Sequence, residues 1–123
     1  MVRVLLLEDQ PVQLQAREAV LTTAGFTVTS TKTADEALVF LRADASARGS
    51  EQFRVVITDH LLPDASGLAL VREVRAANPE IPIIVVSGMA EVESEYRELN
   101  VTFLQKPCPP EDLVRAVQNS VNL

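Results

Sequence analysis

The stretch Val55-Val56-Ile57-Thr58-Asp59-His60-Leu61-Leu62-Pro63-Asp64-Ala65-Ser66-Gly67 changes character at one point. Val55–Thr58 is β-branched and apolar, as a strand buried on both faces must be. Asp59 ends it. Pro63 and Gly67 shape a loop, Ser66 is placed to cap a helix, and Leu70, Val71 and Val74 then recur at helical spacing.

The same strand, polar end and helix recur along the chain. Val2–Leu7, Phe26–Thr29, Ile81–Val86 and Val101–Leu104 are the other candidate strands. Between them, Val12, Ala16, Val20 and Ala24 are expected to line one helix face, and Ala34, Ala37, Leu38 and Leu41 a second. Leu113, Ala116, Val117 and Val121 line another near the end, and Val92, Tyr96 and Leu99 mark a shorter, weaker fourth helix. Start and stop signals agree. Pro11 suits a first helical position. Gly25 suits the left-handed residue after a helix. Thr33 with Glu36 fits a capping box. Pro109, Pro110, Glu111 and Asp112 open the last helix with an acidic first turn. Ala43–Gln52 is the one long polar connection.

This alternation predicts an α/β fold, a (βα)5 doubly wound, five-stranded parallel sheet in strand order 2-1-3-4-5. Ligands in such sheets bind beyond the carboxyl ends of the strands, where the order reverses. Here that point lies between strands 1 and 3.

The bulk properties narrow the class. The 123 residues suit a single domain, 1–123, and 47% apolar with 23% charged residues is a globular balance. No apolar run approaches the ~18–20 residues of a membrane helix. A net charge of −6 without a basic run argues against nucleic-acid binding. The single Cys108 allows no internal disulfide, and with no export signal it favours a reducing, cytoplasmic setting.

The residues just past the strands carry the chemistry. Glu8-Asp9 follows strand 1, Asp59 strand 3, Ser87-Gly88 strand 4 and Lys106-Pro107 strand 5. Carboxylates gathered on one rim either raise their pKa values or recruit a cation. Oxygen ligands of this kind suit Mg2+. Such an ion offsets the charge of an incoming phosphoryl group and lets an aspartate attack phosphorus. Lys106 and Ser87 can hold phosphoryl oxygens. Each residue alone has a blander reading, as a turn former, a cap or a surface lysine; their joint placement favours the chemical one. His60 and Cys108 are read as non-catalytic, and Gly88 and Met89 as loop-shaping.

On these residues, with Asp59 through Gly67 and Phe103-Leu104-Gln105-Lys106-Pro107, the chain resembles the receiver domain of two-component response regulators over essentially its whole length. The resemblance implies a flavodoxin-like fold and a phosphoacceptor, Asp59. It implies Mg2+ held by Asp9, Asp59 and the backbone carbonyl of Leu61, with Glu8 acting mainly through water. Ser87 and Lys106 would bind the phosphoryl group, and the Lys106-Pro107 bond would be cis. The donor would be a phosphohistidine on a sensor histidine kinase or phosphotransfer protein. The output would pass from the face of helix 4, strand 5 and helix 5 to a downstream protein partner or fused output domain. No output domain is expected in this chain. No enzyme activity is expected beyond self-phosphorylation and self-dephosphorylation of Asp59, and no contact with nucleic acid or membrane. The Phe-Leu-Gln-Lys-Pro wording also resembles receivers attached to hybrid sensor kinases.

Some positions depart from the family. Phe103 stands where a switching aromatic is common but carries no hydroxyl, so coupling there must use ring burial. Ser87 to Lys106 spans only 19 positions, which predicts a shortened or distorted helix 4. Asp9 to Asp59 spans 50 positions, a long interval consistent with extra residues in Ala43–Gln52. Cys108 follows the Lys-Pro pair where an aromatic is common. Two rivals remain. A phosphatase working through an aspartyl-phosphate would want an acid two positions after Asp59, where Leu61 stands. A phosphorylation-independent interaction module would need the pocket to be incomplete.

Overall fold

The computed structural model describes residues 2–44 and 52–121. Most of the Ala43–Gln52 connection lies outside the described residues. Five parallel strands form one sheet in the order β2-β1-β3-β4-β5. They are β1 (Arg3–Leu7), β2 (Thr27–Thr31), β3 (Phe53–Asp59), β4 (Ile83–Ser87) and β5 (Thr102–Gln105). The helices are α1 (Pro11–Thr23), α2 (Ala34–Asp44), α3 (Gly67–Ala77) and α4 (Pro110–Val121). The expected strand order and all five strands are therefore present, with ends moved by at most two residues.

Side chains alternate across a strand, so each apolar run feeds two cores. Leu5 and Leu7 join Val56, Ile83 and Val85 beneath α2 and α3. Val4 and Leu6 join Val55, Ile57, Ile84 and Val86 beneath α1 and α4. Burial on both faces explains why these strands are apolar throughout rather than alternating.

The register of β1 against β3 shifts between Arg3 and Val4, passing from Arg3 beside Phe53 to Val4 beside Val55. The skipped residue advances β3 by one, so Leu7 pairs with Thr58. Glu8 and Asp59 are the next residues on their strands. Parity places both side chains on the α1–α4 side of the sheet.

Most helix signals act as expected. Pro11 is the first residue of α1. Gly25 has φ +99°. Ser66 Oγ accepts the Ala69 N–H at 3.0 Å, and Thr33 Oγ1 accepts the Glu36 N–H at 3.1 Å. The Glu36 carboxylate returns to the N–H of Lys32 rather than Thr33, at 3.0 Å. A second cap on α2 comes from far along the chain: Asp64 accepts the N–H groups of Ala34 and Asp35 at 3.0 and 3.1 Å. These bonds, the Ala34 one foremost, hold its carboxyl below the usual range.

Two expectations need correction. The inward face of α1 is not Val12, Ala16, Val20 and Ala24. Val12, Ala16 and Ala24 are exposed, and Val20 alone of the four packs inward. Leu14, Arg17 and Leu21 face the sheet instead. Both sets fit a helical period, but burying two leucines removes far more apolar area from water than burying two alanines. The fourth helix is not an α-helix: Ala90–Leu99 is a 3-10 helix. A 3-10 helix rises ~2.0 Å per residue against ~1.5 Å for α, so ten residues reach ~20 Å rather than ~15 Å. The short interval from Ser87 to Lys106 must still cross the sheet, and the tighter coil supplies the length. Val92 and Tyr96 anchor it in the core.

Candidate functional site

The carboxyl ends of β1, β3, β4 and β5 open into a cleft of roughly 480 Å3. Glu8, Asp9, Asp59, Leu61, Ser87 and Lys106 all line it. Backbone bonds extend the ladders past the strands and fix these ends. Glu8 N–H donates to Thr31 O at 3.0 Å, His60 N–H to Val86 O at 3.2 Å and Lys106 N–H to Ser87 O at 2.8 Å. The Lys106-Pro107 bond is cis.

Asp59 is 4% exposed and Glu8 fully buried. One oxygen each from Glu8, Asp9 and Asp59 lies within 4.8 Å of the other two. Lys106 Nζ stands 3.2 Å from Asp59 Oδ1 and 3.4 Å from Gln13 Oε1. Burial, followed by the Asp59 carboxylate alongside, pushes the Glu8 carboxyl up to about 7. Glu8 Oε2 accepts the Gln10 N–H at 3.0 Å. Glu8 Oε1 is buried and accepts no hydrogen bond, although a guanidinium nitrogen lies at ion-pair distance, 2.8 Å. Three carboxylate oxygens gathered within 4.8 Å, one of them buried and held by an ion pair alone, fit a hard divalent cation.

That guanidinium belongs to Arg17, which sequence reading missed. Arg17 Nη1 lies 2.8 Å from Glu8 Oε1 and 3.4 Å from Asp59 Oδ1. The only signal for it was its spacing, three after Leu14 and four before Leu21.

Ser87 is 4% exposed, and its Oγ accepts the Met89 N–H at 3.0 Å. The Leu61 side chain is exposed, and Leu61 bridges back to Ser66 across the loop. Cys108 is half-buried, and burial pushes its thiol up, which disfavours the reactive thiolate.

His60 turns away from the cleft chemistry into the core. Its Nδ1 shares a 2.6 Å hydrogen bond with the Tyr96 hydroxyl, and the rings meet edge to face. Tyr96 in turn packs 6.0 Å from the ring of Phe103. Phe103 itself is half-buried, with no hydroxyl to aim at the cleft. The hydroxyl missing at 103 is thus present at 96, in the 3-10 helix. Tyr96→Phe removes one partner of a buried pair and leaves His60 Nδ1 unsatisfied, which costs about 2 kcal/mol. A urea melt with an unchanged midpoint would contradict this bond.

Comparison with known proteins agrees with this geometry. The family model described as the response regulator receiver domain matches residues 4–118. The C4-dicarboxylate transport transcriptional regulatory protein DctD of Rhizobium meliloti is 32% identical over 120 residues, covering 95% of this chain and 25% of that protein. The cell cycle response regulator CtrA of Brucella ovis is 28% identical over 118 residues, covering 94% of this chain and 48% of that protein. The chain thus spans between a quarter and a half of the length of these relatives. A receiver domain protein of Clostridium thermocellum superposes with a TM-score of 0.87 at 25% identity, over 99% of this chain and 95% of that one. With its strand order, its acidic cleft and a family match over almost its entire length, the chain belongs to the response regulator receiver domains.

Proposed function

We propose that Asp59 accepts a phosphoryl group and that this chain relays a phosphorylation signal. The observation that carries the reading is Lys106 Nζ at 3.2 Å from Asp59 Oδ1, with Glu8 and Asp9 beside the same carboxylate. A buried carboxylate beside two others and one ammonium is poised for a reagent that brings negative charge and needs cations around it.

The donor is a phosphohistidine on a sensor histidine kinase or phosphotransfer protein. An Asp59 carboxylate oxygen forms a bond to phosphorus as the N–P bond breaks, and the imidazole leaves with that electron pair. Lys106 pairs with a phosphoryl oxygen as a point charge. Ser87 gives up its hold on the Met89 N–H and donates to another. Asp9, Asp59, the Leu61 carbonyl and, through water, Glu8 would hold Mg2+. That ion supplies charge neutralisation for the incoming group. Hydrolysis of the acyl phosphate returns Asp59, so the chain turns over only its own modification and is not otherwise an enzyme. The phosphoryl group adds about −1.5 to −2 charges at neutral pH. The loop after β4 closes on it and biases the face of the 3-10 helix, β5 and α4 toward a downstream partner or fused output domain. Among the described residues no helix is long and apolar enough to cross a membrane; the proposed setting is the cytoplasm.

Incubation with acetyl phosphate, with and without Mg2+, followed by intact mass tests the proposal. One added phosphoryl group is expected with Mg2+, and none in Asp59→Asn or after chelation. No gain in the unaltered chain, or an undiminished gain in Asp59→Asn, sinks it.

A further inference from the structure

Arg17 is an arginine on the buried face of α1, between Leu14 and the fully buried Leu21. Its side chain is only 12% exposed. Arginine is seldom buried without a partner, because its charge is permanent and costly to desolvate. Helical side chains lean toward the N-terminus of their helix, and α1 begins just after β1 delivers its carboxylates. A residue in mid-helix therefore reaches back to the rim. Strand parity turns Glu8 and Asp59 toward the same side. The result is Nη1 at 2.8 Å from Glu8 Oε1 and at 3.4 and 3.5 Å from the two Asp59 oxygens.

We propose that Arg17 is a resident counter-cation of the acidic pocket, which competes with the divalent ion and must withdraw from Glu8 and Asp59 for that ion to bind. The inference rests on the reading that this pocket takes a divalent cation. Glu8, Asp9 and Asp59 offer oxygens within a space of 4.8 Å, and Arg17 already uses two of those three groups. A guanidinium and a divalent ion that share the same buried carboxylates repel each other strongly. Arg17 therefore sets the cation concentration at which the pocket becomes ready for a phosphoryl group. It acts through the carboxylates and is a positioning residue.

Two measurements on the full chain decide it. Mg2+ is titrated calorimetrically into EDTA-stripped wild type and Arg17→Leu, where leucine keeps the apolar packing of α1. The variant should bind Mg2+ at least about tenfold more tightly. It should also melt lower in EDTA and recover with Mg2+. A merely structural ion pair would lower the melting temperature but leave the affinity unchanged. In wild type, the Arg17 Nε–H resonance should shift as Mg2+ saturates the site, a readout that holds even if the variant does not fold. Equal affinities in the two proteins, or an Arg17 resonance unmoved at saturation, overturn the inference and leave the metal-site reading intact. Absence of Mg2+ binding in both proteins overturns the two together.

Discussion

Gly67→Ala should destabilise the protein by about 3 kcal/mol and slow phosphorylation of Asp59 roughly a hundredfold. Gly67 is buried where the loop after β3 folds back on the strand end, and its N–H donates to His60 O at 2.6 Å. A Cβ there would stand 2.3 Å from the Asp59 carbonyl oxygen, 2.9 Å from His60 Cα and 3.1 Å from the Tyr96 hydroxyl oxygen. Two of these three are backbone atoms and cannot swing aside. The requirement is for space rather than for unusual torsions. The clash displaces the backbone that aims Asp59, and the His60–Tyr96 bond with it. A urea denaturation midpoint and the rate of mass gain from acetyl phosphate measure the two effects. A variant as stable and as reactive as wild type would show that the loop relaxes freely.

Arg75→Met should cost about 3 kcal/mol and loosen the 3-10 helix selectively. The Arg75 guanidinium binds four carbonyls. Nε–H donates to Leu99 O at 2.7 Å, Nη1 to Ile81 O at 2.6 Å and Asn78 O at 3.2 Å, and Nη2 to Asn100 O at 3.0 Å. One side chain on α3 thus ties that helix to the entry of β4 and to the end of Ala90–Leu99. Runs of 3-10 helix beyond three or four residues have poor hydrogen-bond geometry and need outside support. Arg75 and the buried Val92 and Tyr96 supply it. Methionine keeps the stem's packing and removes the donors. Some carbonyls regain water, so the loss is smaller than four charge-assisted bonds. Arg75→Lys should rescue little, because an ammonium cannot span four acceptors. Amide exchange should quicken in Ala90–Leu99 and at Thr102 well before it does in β1 or β3. Uniform protection in the variant would refute the clamp.

The acidic pocket was legible for a simple reason. Glu8, Asp9, Asp59, Ser87 and Lys106 each stand at or just past the end of a strand-forming run, and a parallel sheet brings such ends to one rim. The Leu61 carbonyl rested on the resemblance to the receiver family alone, since a backbone ligand leaves no mark in residue type. Arg17 was not legible, because beside Gln15 and Glu18 it looks like part of a solvated helix face. Only the choice of Leu14 and Leu21 as the inward pair turns it toward the acids. Tyr96 was assigned to a helix face, but its bond to His60 joins residues 36 positions apart. Asp64 lay in plain view within the β3–α3 loop, yet the helix it caps begins 30 positions earlier.

The sequence by itself determined the strand order, the burial of the sheet on both faces and the strand-end residues Glu8, Asp9, Asp59, Ser87 and Lys106 that reach the cleft. Those follow from local period, from the punctuation of Pro, Gly and capping residues, and from the one way parallel strands can be crossed and covered. Tertiary structure alone decided the rotation of α1, the coil type of Ala90–Leu99 and the partners of Arg17, Arg75 and Tyr96. A helical period leaves the phase of a helix open when two faces carry apolar residues, and a short connection fixes its coil only when both ends are anchored. Long polar side chains then take whichever acceptors the packed neighbours bring within reach.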